Sequence, residues 1–495
     1  MPLDPLLAAR ALASPHLAAG RTPLRSLLVH GFVLALWLLL FCMAFAVGGV
    51  LSWSVGVAYV SYDTLLLVFV AWQTWELRRT VVAPAPPGGS APPVMGPRPT
   101  LGVLVAAHNE AAVLPLTLAA LLAQADPPER IVVVDDCSTD GTGALLTGRY
   151  GVPEPALGHC SAPGAAFPRL YWLRLPRGGK AVALNTALPL VPTDTVLTVD
   201  ADTLLEPGAI AAVRQAFIAD PALVVATGVI SPVCRPTLAG RLFQWFQTYE
   251  YIRNFLSRYA WMQMDSLLLV SGAFGAYRRD VLLAVGGFDP HCLVEDYELT
   301  HRIRRHAVLH GQAWHVAVLG GARARTDAPA TLGAFLRQRQ RWFGGFLQTQ
   351  YRYREMVGNP RYGWLGTLML PVKAVDTLQP LYGLTAFGLL VYYLASGRLG
   401  LLEAAGGVIG IKLAIDLVFH LWSIHLYRRW AGGNARIGFG RGLLAALAEP
   451  FSFQLLRHSG AALGWLAFLT GRWRWDPQAR GGLAAEKPAP ELPRD

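Results

Sequence analysis

From Ser26 to Tyr62 the chain has no Asp, Glu, Lys or Arg, a run longer than the ~20 apolar residues that one helix needs to cross a bilayer. A break near Gly48 to Ser54 divides it into a first span, roughly Leu27 to Leu51, and a second, roughly Gly56 to Trp75, with Asp63 inside. The apolar core is too long for a cleavable signal peptide, and no small-residue cleavage site is evident. Arg10, Arg21 and Arg25 precede the pair, and Arg78 and Arg79 follow it. Both flanks are therefore expected on the cytoplasmic side, which makes residues 1–80 a transmembrane hairpin. Composition agrees, since 53% hydrophobic and 15% charged residues is too apolar for one ordinary soluble enzyme. The formal charge of +11 sits largely in Arg beside apolar runs and reads as membrane topology; no clustered base-reading motif points to nucleic acid. Cysteines at 42, 137, 160, 234 and 292 show no CxxC spacing, which argues against a zinc site or a disulfide framework and fits a reduced, cytosol-facing body.

Residues 81–99 are rich in Pro, Gly and Ala, the composition of a linker. Beyond it, short apolar strands alternate with helical stretches over residues 100–360. Leu101 to Ala107, Ile131 to Val134, Leu170 to Leu173 and Val196 to Val199 read as strands. Ala111 to Gln124, Gly141 to Tyr150, Lys180 to Leu188 and Pro207 to Ile218 read as helices. Such alternation predicts a mostly parallel sheet covered on both faces, with ligands at the carboxyl ends of its strands. Three of those ends are polar: His108-Asn109-Glu110, Asp135-Asp136 and Asp200-Ala201-Asp202. Two aromatic, amphipathic stretches, Arg241 to Met262 and Leu332 to Tyr353, suit helices at a membrane interface or in a core.

Apolar segments return near Trp364 to Leu394, Leu401 to Leu426 and Leu443 to Leu469, giving a C-terminal membrane region over 361–471. Lys373 with Asp376 and Lys412 with Asp416 stand at i, i+3 and i, i+4, so each pair can neutralise itself on one helix face, as a structural tie or as a polar channel lining. Arg428, Arg429, Arg436 and Arg441 on one side, and Arg472, Arg474 and Arg480 on the other, place both flanks of the last segment in the cytoplasm. That requires Leu443 to Leu469 to be a hairpin or interfacial rather than one clean span. Residues 472–495 then form a cytoplasmic tail.

Five short motifs carry the chemistry. Asp200 and Asp202 end an apolar, β-branched strand and alternate in direction, so that one can hold a divalent cation while the other grips a ligand. Asp135 and Asp136 offer acceptors at a second strand end, suited to a nucleoside, although the Ser138, Thr139 and Asp140 that follow are also good helix caps. Arg177-Gly178-Gly179-Lys180 is a basic loop before a helix, suited to a diphosphate. Glu295 and Asp296 sit at a helix start, as a general base or as cap residues. Gln338, Arg341 and Trp342, from Gln338-Arg339-Gln340-Arg341-Trp342, share one helix surface, where Arg can hold a phosphate and Trp can stack on a sugar.

In this order and rough spacing, Asp135-Asp136, Asp200-Ala201-Asp202, Glu295-Asp296 and Gln338 to Trp342 resemble the D, DxD, (T)ED, QxxRW signature of the family-two processive glycosyltransferases. That family includes cellulose, hyaluronan, chitin and poly-N-acetylglucosamine synthases. Val105 to Glu110, Gly179 to Asn185, Ser271 to Gly275 and Gly286 to Asp289 look similar too, and Trp475 to Gly481 looks most like the end of bacterial poly-N-acetylglucosamine synthases. Val294 stands where the family commonly has Thr, and Cys137 replaces its usual Gly, Asn or Ser.

The resemblance implies an α/β GT-A (Rossmann-like) domain with helical transmembrane segments, catalytic domain cytoplasmic, in a multi-pass protein of the plasma (inner) membrane. It implies inverting transfer from a UDP-sugar to a growing β-linked, poly-N-acetylglucosamine-like polysaccharide, with Mg2+ or Mn2+ as cofactor. Asp202, with Asp200, would hold the metal. Glu110, Asp136, Lys180, Asp200, Gln338 and Arg341 would bind the donor. Asp296, with Glu295, would be catalytic, and Trp342, Ser271 and Gly272 would meet the acceptor. Implied partners are a saccharide or lipid acceptor, membrane lipid and accessory export subunits. The rival readings are a non-processive transferase acting on a lipid and a transporter or channel with a nucleotide-sensing domain.

Overall fold

The computed structural model describes residues 5–15, 22–47, 49–80, 98–432, 438–471 and 481–485. Most of the expected linker, Arg21, Arg436, Arg472, Arg474, Arg480 and the tail outside 481–485 lie outside the described residues.

Helix α1 (Pro5–Ala13) precedes α2 (Leu24–Ala46) and α3 (Ser54–Gln73), which pack on each other. Their large apolar side chains, such as Leu28, Phe32, Phe45, Leu65 and Trp72, remain exposed, as on helices whose solvent is lipid. An α/β body follows: β1 (Leu101–Ala107), α4 (Leu114–Leu122), β2 (Arg130–Asp136), α5 (Thr142–Tyr150), β3 (Leu170–Leu175), α6 (Lys180–Ala187), β4 (Thr195–Asp200), β5 (Thr203–Leu205) and α7 (Ala209–Ala219). It continues through β6 (Leu223–Val233), α8 (Leu238–Gln263), β7 (Phe274–Arg278), α9 (Arg279–Ala284), α10 (Glu295–Leu309), β8 (His315–Asp327) and α11 (Leu332–Arg352). The four strands expected from sequence are all present.

The eight strands form one sheet in the order β3-β2-β1-β4-β7-β6-β8-β5. The first four run parallel, with Val103 opposite Ile131 and Leu197. Beyond β4 the expectation of a mostly parallel sheet needs correcting, because β7 inserts antiparallel to both β4 and β6, and β5 closes antiparallel on β8. The cause lies in the connections: β7 follows the long helix α8 and a loop rather than a βα crossover, so its direction is not constrained to match. The parallel half has an apolar interior, with Val105, Val132, Val133 and Leu197 fully buried. It brings the ends of β1, β2 and β4 to one edge.

Helices α12 (Leu370–Ala395), α13 (Leu399–Ala431), α14 (Phe439–Ala448) and α15 (Phe453–Thr470) complete the chain. Among the described residues four helices are long and apolar enough to cross a membrane: Leu24–Ala46, Leu51–Gln73, Leu365–Ala395 and Leu402–Ala431. The last apolar segment is broken between α14 and α15 by a short turn, Glu449–Phe451, that carries Pro450, where a helix loses a backbone donor. The segment is therefore two helices rather than one continuous span. Lys373 pairs with Asp376 at 2.6 Å. Lys412 pairs with Asp416 and also, across helices, with Asp63 of α3 at 2.6 Å. The charge inside the second span therefore has its partner in α13. Helix α8 buries Phe246, Ile252, Phe255 and Leu256 and leaves Leu238 and Leu242 exposed, so it combines the core and interfacial readings along its length.

Candidate active site

Lys180 is the hub. It opens α6, and the loop before it turns at Gly179 with φ +86°, a conformation that favours glycine. Asp136 shapes that loop: its carboxylate accepts the Gly178 and Gly179 N–H groups (2.6 and 3.0 Å) and pairs with Arg177 (2.9 Å). The Lys180 ammonium thereby reaches Asp200 Oδ1 at 2.6 Å, Glu295 Oε1 at 3.3 Å and the Gly272 carbonyl at 3.3 Å. Burial works against its charge, yet Asp200, Glu295 and Asp296 together hold its pKa above the ordinary lysine value. Sequence places these groups far apart; the fold brings three motifs onto one nitrogen.

Asp296 occupies the first turn of α10. Its Oδ2 accepts the Gly272 N–H (2.6 Å) and its Oδ1 the Tyr297 N–H (2.8 Å). A Cβ on Gly272 would stand 3.0 Å from that Oδ2, so a glycine permits this approach. Burial, and next the Glu295 charge, push the Asp296 carboxyl above the usual aspartate range, while Lys180 and the two amides oppose them. The helix that presents it is held from behind. Glu298 pairs with Arg302 at 2.7 Å, both fully buried, and accepts the Tyr353 hydroxyl at 2.5 Å. Asp289, Cys292 and Glu298 also lie within metal-ligand reach of one another, but Arg302 and Arg352 already supply the positive charge there.

A cavity of about 470 Å3 connects these groups. Its lining includes Lys180, Asp200, Asp202, Ser271 and Gly272, then Glu295, Asp296, Gln338, Arg341 and Trp342, and also Lys373 and Asp376 of α12. Glu110 and Asp136 do not line it; they sit at the neighbouring ends of β1 and β2. Arg341 donates to the Leu293 carbonyl at 3.1 Å, which ties α11 to the loop before Glu295. Arg339 grips Glu250 of α8 through two 2.8 Å hydrogen bonds and lies 4.6 Å from the centre of the Trp342 ring. The Lys373–Asp376 pair thus serves as a tie and as cavity wall together.

Asp202 is 5% exposed in the turn between β4 and β5. With Asp200 it offers hard carboxylate oxygens, and no thiol or imidazole of the described residues lines the cavity. That donor set fits Mg2+ or Mn2+ rather than zinc. Sequence reasoning assigned Gly272 to the acceptor and missed its amide as the anchor of Asp296. It also missed Arg339 and Glu250, and Arg258 of α8, whose side chain faces the same cavity.

Residues 97–345 match a family model described as Glycosyltransferase like family 2. The chain is 27% identical over 347 residues to the β-monoglucosyldiacylglycerol synthase of Synechocystis, covering 66% of each. It is 26% identical over 244 residues to the poly-β-1,6-N-acetyl-D-glucosamine synthase of Staphylococcus aureus, covering 49% of this chain and 53% of that one. The matches thus span between about half and two-thirds of these relatives' lengths. Among solved structures, a mannosyltransferase from Pyrobaculum calidifontis in complex with GDP-Man and Mn2+ superposes with a TM-score of 0.50 at 21% identity, covering 81% of this chain and 99% of that one. The likeness to it is one of fold, a GT-A-like α/β body.

Proposed function

Because the chain belongs to the glycosyltransferase-like family 2, we propose that it moves a sugar from a UDP-sugar onto a growing β-linked polysaccharide, poly-N-acetylglucosamine-like, by one inverting displacement. The observation that carries this reading is the single cavity lined by Asp200 and Asp202, by Asp296 and Trp342, and by Lys373 and Asp376 of helix α12. Donor and acceptor can then approach one carboxylate within it.

In this mechanism Lys180 and Arg341 bind the donor diphosphate, with Glu110 and Asp136 at the nucleoside side and Gln338 beside Arg341. A bound Mg2+ or Mn2+ at Asp202 and Asp200 would offset the negative charge that grows on the leaving UDP. Lys180 supplies the same kind of stabilisation from the protein, fixed in place by the Gly178–Gly179 turn. Asp296 takes the proton from the acceptor hydroxyl as that oxygen attacks the anomeric carbon from the face opposite UDP. Its two amide hydrogen bonds fix its position, and Glu295 keeps its proton affinity high. Trp342 stacks on the acceptor sugar.

The proposed setting is a transmembrane hairpin over 1–80, a linker over 81–99, a cytoplasmic catalytic domain over 100–360, a membrane region over 361–471 and a cytoplasmic tail, in the plasma membrane with export partners. The mechanism is tested by Asp296→Asn, in which transfer should fall by about 10²–10⁴-fold while UDP binding stays near that of the unmodified protein. Loss of UDP binding in that variant would count against the assigned role. A second reading, addition of one sugar to a lipid, is supported by the apolar stretch of the cavity at Leu268, Phe346 and Met369. Product length after incubation with labelled UDP-sugars separates the two.

A further inference from the structure

Four basic side chains that face the cavity are engaged: Lys180 by Asp200, Arg339 by Glu250, Lys373 by Asp376 and Arg341 by the Leu293 carbonyl. Arg258 differs from them. Its Nε and Nη1 are buried and have no hydrogen-bond partner among the described residues. Burial draws its pKa down to about 10, with Asp296 and Tyr251 opposing. Buried guanidinium nitrogens without a hydrogen bond are costly, and the head lies 4.5 Å from the Phe255 ring centre.

Its place in the fold says what can relieve that cost. Asn254, one turn earlier on α8, lines the cavity beside it. Trp261, one turn later, packs on Phe69 of α3 at 4.5 Å between ring centres. This part of α8 is thus fixed against a membrane helix. The wall around Arg258 is apolar, with Phe255, Trp261 and Leu268. Trp261 and Leu268 pack in one cluster with Met369, Trp342 and Phe346, so this wall of the cavity adjoins the ring read as the acceptor platform.

We propose that Arg258, with Asn254, forms an anion subsite on the acceptor side of Asp296, which takes the phosphate of an amphiphilic acceptor lying along the α3–α8 wall. A guanidinium fork matches phosphate geometry and gains most when the pair is shielded from water. The proposal rests on the reading of the cavity as the acceptor path, and it holds whether one sugar or many are then added.

The test uses the full chain in uncharged detergent with saturating UDP and Mn2+, and measures binding of decyl phosphate, inorganic phosphate and decyl glucoside by thermophoresis. Decyl phosphate should bind with UDP already present, about tenfold more weakly in Arg258→Gln, with partial recovery in Arg258→Lys. Equal affinity in Arg258→Gln would overturn the subsite, as would displacement of decyl phosphate by UDP, which would assign the anion to the donor end. Inorganic phosphate binding as tightly as decyl phosphate would overturn the lipid source, and decyl glucoside doing so would overturn the anion. UDP binding in the same samples keeps the two levels apart. If UDP binds and decyl phosphate does not, the subsite alone fails; if UDP does not bind, the transferase reading fails with it.

Discussion

At Asp296, the proposed general base, a carboxylate is held between opposed influences. Burial and Glu295 raise its proton affinity; Lys180 and the Gly272 and Tyr297 amides lower it. A base works ionised, so activity is lost as pH falls through its pKa, and a raised pKa puts that loss at higher pH than for an ordinary aspartate. Glu295→Gln removes one of the raising charges and should move the acidic limb of the kcat/KM profile to lower pH; an unmoved limb would contradict the coupling. Trp342→Ala should impair transfer to acceptor more than hydrolysis of the donor, since the ring is read as contacting only the acceptor. Equal loss of both would end the stacking assignment. The four motifs were legible because each is a few polar residues at the end of a strand or the start of a helix, where direction follows from local structure. Arg258 was not, because its meaning depends on a partner it lacks, and sequence does not display missing contacts.

Helix α15 crosses α11 at glycines, and this crossing holds Trp342 and Arg339 in place. A Cβ on Gly464 would meet the Phe343 Cβ at 2.9 Å and the Gly344 nitrogen at 3.0 Å; one on Gly460 would meet the Arg339 Cβ at 2.5 Å. Gly464→Val should therefore force the helices apart at a cost of about 1–3 kcal/mol, read as a lower Tm of the detergent-solubilised protein. Val294 has a similar explanation. Its Cγ2 fills the space over Gly345 of α11, so at this position an apolar contact between α10 and α11 replaces the hydroxyl common in the family. Strands β1 to β4 could be read from their even alternation with helices. Strands β6 and β8 could not: Gly228, Pro232 and a bulge between Leu319 and Arg323 interrupt their patterns, and they pair with each other across α8, β7, α9 and α10.

Across the whole molecule, ion pairs join the α/β body to the helices around it. Glu250 of α8 holds Arg339 of α11 and lies 3.7 Å from Arg457 of α15. Glu449, in the turn before α15, pairs with Arg253 of α8 and with Arg457 at 2.9 Å. Since Glu449 is only 3% exposed, Glu449→Gln leaves two arginines under-compensated and should cost about 3–5 kcal/mol, measured as a fall in Tm; a change within error would show that solvent reaches the pair. That charges inside apolar segments must be paired was legible from the cost of leaving them bare. Which helices they join was not, as with Asp63 and Lys412, because that is a matter of assembly. The Glu250 cluster also has a meaning in time. A ribosome delivers α8, then α11, and the Glu449 turn and α15 after them, so the support beneath Trp342 is finished only when α15 has been made. A chain cut before that turn would carry every motif carboxylate and lack this support, so that, on the function proposed above, the acceptor platform would form after the donor site.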